Sequence, residues 1–296
     1  MVVVDINGKE VTEYQPIMNS FGIYIQKYLP SDSMMTYLTK NVCESKGRSV
    51  DKQDMIDFIN DYHIDWQDCI KCNDSETMEE CLSKFKTLND FFIRKKKITI
   101  SDTTNNTLCS PADARTVIFK NEKQAKKLWI KGNKYCLNCM LRLTKPLGKY
   151  YENANIIISR LAPQDYHRFH SPISGKYHSH YEIEGTYKSV NPTIVNSKKN
   201  VYTENARIVY FIETKKFGMV AMCFVGASCI GSIKLHKKTT IKKGDELGYF
   251  GFGGSTIITV IPENKDIHLN SVISKNTRKL RETYMKVGDI IVSSKK

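Results

Sequence analysis

Four residues near the C-terminal end, Gly253-Gly254-Ser255-Thr256, put a nucleophile on a backbone that can bend to meet it. Glycine has no Cβ, so the peptide between Gly254 and Ser255 can reach dihedrals closed to other residues. A serine hydroxyl held in such a turn can attack the carbonyl of Gly254 and convert the amide to an ester. β-Elimination would then release the upstream chain and leave dehydroalanine, which hydrolyses to an N-terminal pyruvoyl group. The same four residues also suit a plain glycine-rich turn entering the β-branched run Ile257-Ile258-Thr259-Val260-Ile261, and taken alone they favour that plain turn; the rest of the chain overturns it.

An attacking serine needs a base, and the base an orienting acid. Two stretches offer them: Ser110-Pro111-Ala112-Asp113 and Asp165-Tyr166-His167-Arg168-Phe169-His170-Ser171-Pro172. The spacing of His167 and His170 would suit metal ligation on a helix. Pro163 and Pro172 bracket the pair, so a turn is expected instead. Cys69/Cys72 and Cys136/Cys139 form two C-x-x-C units that lie far apart and lack the glycine-rich knuckle of zinc ribbons. No metal site is expected. Nine cysteines, an odd number, read as reduced thiols in a cytosolic setting.

The elements that must position these groups fall in two parts. Residues 1–97 read as helical. Asp51 caps a helix with Asp54 in its first turn, Val50 can staple onto Met55, and Met55, Phe58, Ile59 and Tyr62 make one apolar face. A second apolar stretch, Phe21–Leu29, is followed by Met34, Met35 and Leu38; such faces usually pack on a core, though either could instead rest on a bilayer surface. Residues 98–296 read as short strands, among them Thr116–Phe119, Ile156–Ile158, Ile208–Ile212, Val220–Val225 and Ile257–Ile261. The uncharged run Phe217–Ile233 is interrupted by glycines and serines and reads as two adjacent strands joined near Gly226, not a membrane span. The fold class expected is α+β, with helices preceding a mostly antiparallel β core.

Lysine and arginine exceed the acids by 14, which suits an anionic partner. Without a zinc-finger or RNA-recognition signature, an acidic lipid surface is favoured over nucleic acid. The first residues resemble neither a secretory signal nor a transit peptide, so a cytoplasmic protein peripheral to a membrane is expected.

Taken in order, these motifs resemble the phosphatidylserine decarboxylase proenzymes. The resemblance rests on Asp165–Pro172, Val225–Ile233, Gly244–Phe250 and Gly253–Thr256. Leu88–Arg94, Ser110–Asp113, Ile130–Gly132 with Tyr135, Val190–Pro192, and Asn205 with Arg207 add to it, collinear over roughly residues 20 to 292. It implies that Asp113, His170 and Ser255 are the self-processing triad, with His170 taking the Ser255 proton and Asp113 fixing the imidazole. Cleavage between Gly254 and Ser255 gives a large chain 1–254 and a small chain 255–296 that supplies the C-terminal strands and begins with a covalent pyruvoyl cofactor. That keto group condenses with a substrate amine and accepts electrons as CO2 leaves. His167 is implied to protonate the substrate carbon, a task that an ordinary imidazole pKa near 6.5 suits. The partners implied are phosphatidylserine, its membrane surface and a second copy of the cleaved protomer. A soluble amino acid such as tryptophan as substrate, or a lipid-binding β module that never cleaves, are the competing readings. The chain departs from the family pattern at Ala114, where glycine is usual, at Ala206, where glutamate is usual, and at Lys95-Lys96-Lys97, where a Pro/Gly-rich run is usual.

Overall fold

The computed structural model describes residues 2–14, 45–128, 135–195, 200–227, 233–251 and 255–295. Phe21–Leu29, Ile130–Gly132, Gly253 and Gly254 therefore lie outside the described residues. The class is α+β, and nearly all strand pairs are antiparallel.

Five β-rich runs find each other in the middle of a nine-stranded sheet of order β1-β14-β3-β4-β12-β8-β7-β6-β10, whose outer strands are β1 (Val3–Val4), β14 (Glu282–Met285), β6 (Gly175–Ile183) and β10 (Thr240–Ile241). At its centre are β3 (Ala114–Phe119), β4 (Asn155–Leu161), β12 (Ser255–Ile261), β8 (Gly218–Gly226) and β7 (Arg207–Thr214). Every residue of β12 is buried, because strands pair with both its edges and both its faces are covered. Alternation sorts the side chains. Ile258, Val260, Ile156, Ile158 and Cys223 face a helical layer that includes α5 (Leu137–Leu141) and α8 (Val201–Glu204). Ile257, Ile261, Ile157, Leu161 and Phe224 face the other way. There they meet two small sheets, β5 (Arg168–His170), β11 (Glu246–Phe250) and β9 (Ile233–Leu235) in one, and β13 (Ile267–Leu269), β15 (Ile290–Ser294) and β2 (Thr107–Cys109) in the other. Phe169 stacks on Phe224 at 4.1 Å, locking β5 onto the central sheet.

Of the run Phe217–Ile233, residues 228–232 lie outside the described residues; Gly218–Gly226 is strand and Ile233 begins another, but the two are not paired neighbours. β8 ends at Gly226 in the large sheet, whereas Ile233 opens β9 (Ile233–Leu235) in a different one.

Residues 52–92 form a third apolar cluster. Asp51 caps α1 (Lys52–Tyr62) by accepting from the Gln53 N–H. Met55, Phe58, Ile59 and Tyr62 are buried against Leu82, Phe85, Leu88 and Phe91. Of the two readings of this face the core one holds, and the bilayer alternative falls: the face has nothing to offer a membrane. Val50, 71% exposed, makes no staple.

The cysteines also depart from expectation. Cys72 is joined to Cys81 and Cys136 to Cys139, their Cα atoms 4.8 Å and 5.1 Å apart, while Cys69, Cys109 and Cys223 are free and buried. The thiols thus give no argument for a reducing compartment. Among the described residues no three potential ligands gather around a metal position, and no helix is long and apolar enough to cross a membrane.

Candidate active site

Strand register brings the chemistry to one end of the large sheet. Ser255, first residue of β12, pairs with Leu161, last of β4, and with Gly226, last of β8. Arg115 pairs with Arg160 across β3 and β4, so the start of β3 at Ala114, with Asp113 just before it, lies at the same end. The turn after Leu161 carries Asp165, Tyr166 and His167 into β5, and the His167 carbonyl accepts from the Phe250 N–H at 2.9 Å. His170 follows in β5, a strand where the proline-framed turn was expected to hold it. Its N–H donates to the Pro111 carbonyl at 2.8 Å, tying β5 to the Asp113 loop.

The Ser255 hydroxyl is fully buried and has no hydrogen-bond partner among the described residues. A buried hydroxyl left unpaired costs roughly 1–3 kcal/mol, and such groups concentrate where chemistry needs them. Asn205 supports this end: its amide donates to the carbonyls of Gly226 and Lys188, both at 2.7 Å, and accepts from the Lys188 N–H at 3.0 Å. The neighbouring Arg207 donates to the carbonyls of Met140 and Asn205, both at 2.7 Å. No contact that a glutamate at position 206 would make is needed for either. Ala114 is absent from the residues with positive φ and lies in a strand, so its replacement of glycine carries no backbone strain.

The two histidines differ in what holds them. His170 Nδ1 is 2.8 Å from the Gly244 carbonyl, which only accepts, so Nδ1 carries the proton and Nε2 the lone pair. Tyr166 donates its hydroxyl to that lone pair at 2.9 Å. Burial lowers the imidazole's proton affinity below its usual value, opposed by the Gly244 carbonyl, Glu246 and Asp113. His167 Nδ1 likewise donates to the Asp165 carbonyl at 2.8 Å, but its Nε2 is buried without a partner. Phe92 packs on its ring at 3.9 Å. Burial, helped by Arg94 and Arg115, lowers its pKa to about 3, so the ordinary value near 6.5 does not hold.

Asp113 makes no hydrogen bond to His170. One carboxylate oxygen accepts from the Val287 N–H at 2.8 Å, and the other is ion-paired with Lys96. The Gly244 carbonyl takes the place beside Nδ1 where an orienting acid would stand. Asp113 is nonetheless near enough for its charge to favour imidazolium.

A charged network that sequence reading missed lies beside the site. Arg160, opposite Thr256 across β4 and β12, holds Glu282 at 2.6 Å and Glu13 at 2.7 Å. Arg115 holds Glu13 at 3.0 Å and is paired with Asp165. Burial raises Asp165 to about 6 against the pull of Arg115. Arg160 and Glu282 are 122 positions apart, and no local pattern announces such a pair. Tyr166 was within reach of the sequence, being inside the histidine motif. A groove of about 470 Å³ lined by Tyr150, Asn153, Phe217 and Pro262 lies at the far end of β12, about 20 Å from Ser255 by strand length, and belongs to none of this.

Fold and site together define a class: α+β proteins whose central strand begins with a buried, unpaired serine, at the sheet end where an acid and two histidines, one of them in a covering strand, are also gathered. A profile of the phosphatidylserine decarboxylase family matches residues 88–292, and the chain belongs to that family. It is 37% identical over 225 residues to a phosphatidylserine decarboxylase proenzyme of Fusobacterium nucleatum, covering 72% of this chain and 74% of that one. With a proenzyme of Clostridium botulinum strain Kyoto it shares 34% identity over 282 residues, 94% of this chain and 89% of the other. With proenzyme 2 of Komagataella phaffii it shares 39% over 239 residues, 78% of this chain but 23% of that protein. The chain spans less than half the length of that relative and of its rice and baker's yeast counterparts.

Proposed function

We propose that this chain is the precursor of a pyruvoyl-dependent decarboxylase that cuts itself between Gly254 and Ser255 and then converts phosphatidylserine to phosphatidylethanolamine and CO2. The observation that carries the reading is the Ser255 hydroxyl, buried and unpaired at the head of a central strand, in a chain of this family. His170 Nε2 is the base. It takes the Ser255 proton once the Tyr166 hydroxyl moves aside or passes the proton on. The serine oxygen adds to the Gly254 carbonyl, the C–N bond breaks, and the Ser255 nitrogen takes up a proton to become the free amine of an ester. Loss of the Ser255 α-proton expels the Gly254 carboxylate, and water replaces the nitrogen, which departs as ammonia.

The residues present suit the group this would create. Ser255 is the group's own source, and the strands on both sides hold its backbone in place after the cut. The pyruvoyl group supplies an electron sink for the carboxylate's electron pair. The chain's part would be to exclude water and to manage protons, and the bare Nε2 of His167, without a partner among the described residues, supports its reading as the group that receives and returns one. His167 is neutral at rest, so it protonates a carbon only after first gaining a proton. The mature enzyme is read as a homodimer of cleaved protomers at an anionic membrane surface.

The test is the mass of the purified protein after denaturation. Wild type should give two chains divided at Gly254 and Ser255, and Ser255→Ala a single chain of 34.0 kDa. A wild type that stays whole would remove the cofactor and leave the non-cleaving lipid-binding module. Supplying the cleaved enzyme with labelled phosphatidylserine vesicles and with free tryptophan or serine decides the substrate. CO2 released from the amino acid alone would give the soluble reading.

A further inference from the structure

We propose that Lys96 is a positioning residue that restrains self-cleavage, holding Asp113 in an ion pair so that the carboxylate cannot turn to His170. The inference rests on the reading of His170 as the base and Asp113 as its acid. Lys96 belongs to the Lys95–Lys97 run, where the chain leaves the family pattern, and neither the triad nor the pyruvoyl chemistry uses it.

The geometry is a chain of contacts from acid to base with an ammonium in between. Lys96 Nζ pairs with Asp113 Oδ2 and lies 3.9 Å from Asp68 Oδ2. It stands 5.4 Å from the centre of the Tyr166 ring, whose hydroxyl is on His170 Nε2. The side chains of Lys96 and Asp113 are 12% and 5% exposed, so solvent screens the pair weakly. Lys96 is itself held: it bridges to Cys69, and the Ile70 N–H donates to the Lys95 carbonyl at 2.8 Å. The same segment places Phe92 on His167 and lends the Ile93 carbonyl to Arg168 at 2.7 Å. The helical unit thereby touches Asp113 and His167 directly, and His170 through the Tyr166 ring.

A carboxylate paired with an ammonium stabilises a forming imidazolium less than a free one does. The charged and titratable groups that bear on His170 are Tyr166, Arg168, Glu246 and Asp113. Those that bear on Asp113 are Lys96 and, at longer range, Asp68, Asp165, Tyr166 and Tyr284. Removing the Lys96 charge leaves Arg168, the cation that already bears on the imidazole, in place and frees the acid to approach it.

Precursor made by cell-free translation and shifted to buffers between about pH 5 and 9 gives the cleavage rate directly. Lys96→Met, which keeps the stem and removes the charge, should cleave about threefold to tenfold faster on the plateau. That is the gain expected of a base strengthened by roughly one pH unit, and the acid limb should move up by about as much. Lys96→Arg should match wild type. In an Asp113→Asn background, Lys96→Met should give no acceleration on the plateau, since no acid is left to release. Melting of Ser255→Ala with and without Lys96→Met establishes folding, and Lys96→Gln, which can still donate to Asp113, should fall between. Cleavage by Lys96→Met that is unchanged or slower, or equally accelerated without Asp113, overturns the inference. Undiminished cleavage by His170→Ala instead overturns the underlying reading.

Discussion

His167 and His170 show how much two like side chains can differ three positions apart. Both present Nε2 as the basic nitrogen, because both give the Nδ1 proton to a backbone carbonyl. Tyr166 caps one lone pair, and burial with Phe92 over the ring leaves the other bare. His170→Ala should therefore stop at the uncut precursor. His167→Asn, which can still donate to the Asp165 carbonyl, should cleave but decarboxylate about 10²–10⁴ times more slowly. The check is mass for the first step and CO2 release for the second. Two uncut variants would show that the division of labour is wrong. The sign of the pH effect follows from burial. The His170 pKa is lowered, so the free base persists below the ordinary value near 6.5, and wild-type cleavage should lose its rate only at a pH below that. The sequence motif places both histidines and the serine in one family. It says nothing about which nitrogen is protonated or what faces it, since those depend on Gly244 and Phe92, each more than seventy positions away.

At the scale of elements, the site depends on where strands begin and end. The strand runs were legible because β-branched residues alternate between two covered faces, and Ile257–Ile261 could be assigned on that ground alone. Register was not legible. Nothing within β4 or β8 announces that Leu161 and Gly226 flank Ser255, nor within the β10–β11 turn that it lends a carbonyl to His170. That turn carries a testable weak point. Gly244 has φ of +84°, and a Cβ there would meet Ile100 at 2.8 Å, so Gly244→Ala strains the backbone and pushes on a side chain. The expected cost is about 1–2 kcal/mol of stability, with cleavage slowed because the carbonyl that orients His170 shifts. Melting temperature and cleavage half-time measure the two parts. Normal cleavage in a destabilised variant would show that the carbonyl does not orient the base.

For the whole molecule, the excess of 14 positive charges remains the best argument for an anionic surface, now that Met55–Tyr62 is seen to be core. Each lysine or arginine near such a surface contributes on the order of 1 kcal/mol within a Debye length of roughly 8 Å. Binding to phosphatidylserine vesicles should weaken steeply with added salt, and neutral vesicles should bind far less. Cosedimentation at low and high salt checks this, and salt-insensitive binding would argue for an apolar anchor instead.

Because Ser255 opens β12, the proposed cut spares every rung of the ladders that β12 makes with β4 and β8. The downstream piece also threads β14 (Glu282–Met285) between β1 and β3 and sets β15 (Ile290–Ser294) between β13 and β2. One broken peptide bond would therefore change the order of the folding reaction while leaving the shape alone. Before it, the sheet assembles within a single chain. After it, the same sheet could be rebuilt only by two separate molecules meeting, each too incomplete to fold by itself. The cleaved protein would keep, as an architecture, a state that its two parts could no longer readily find.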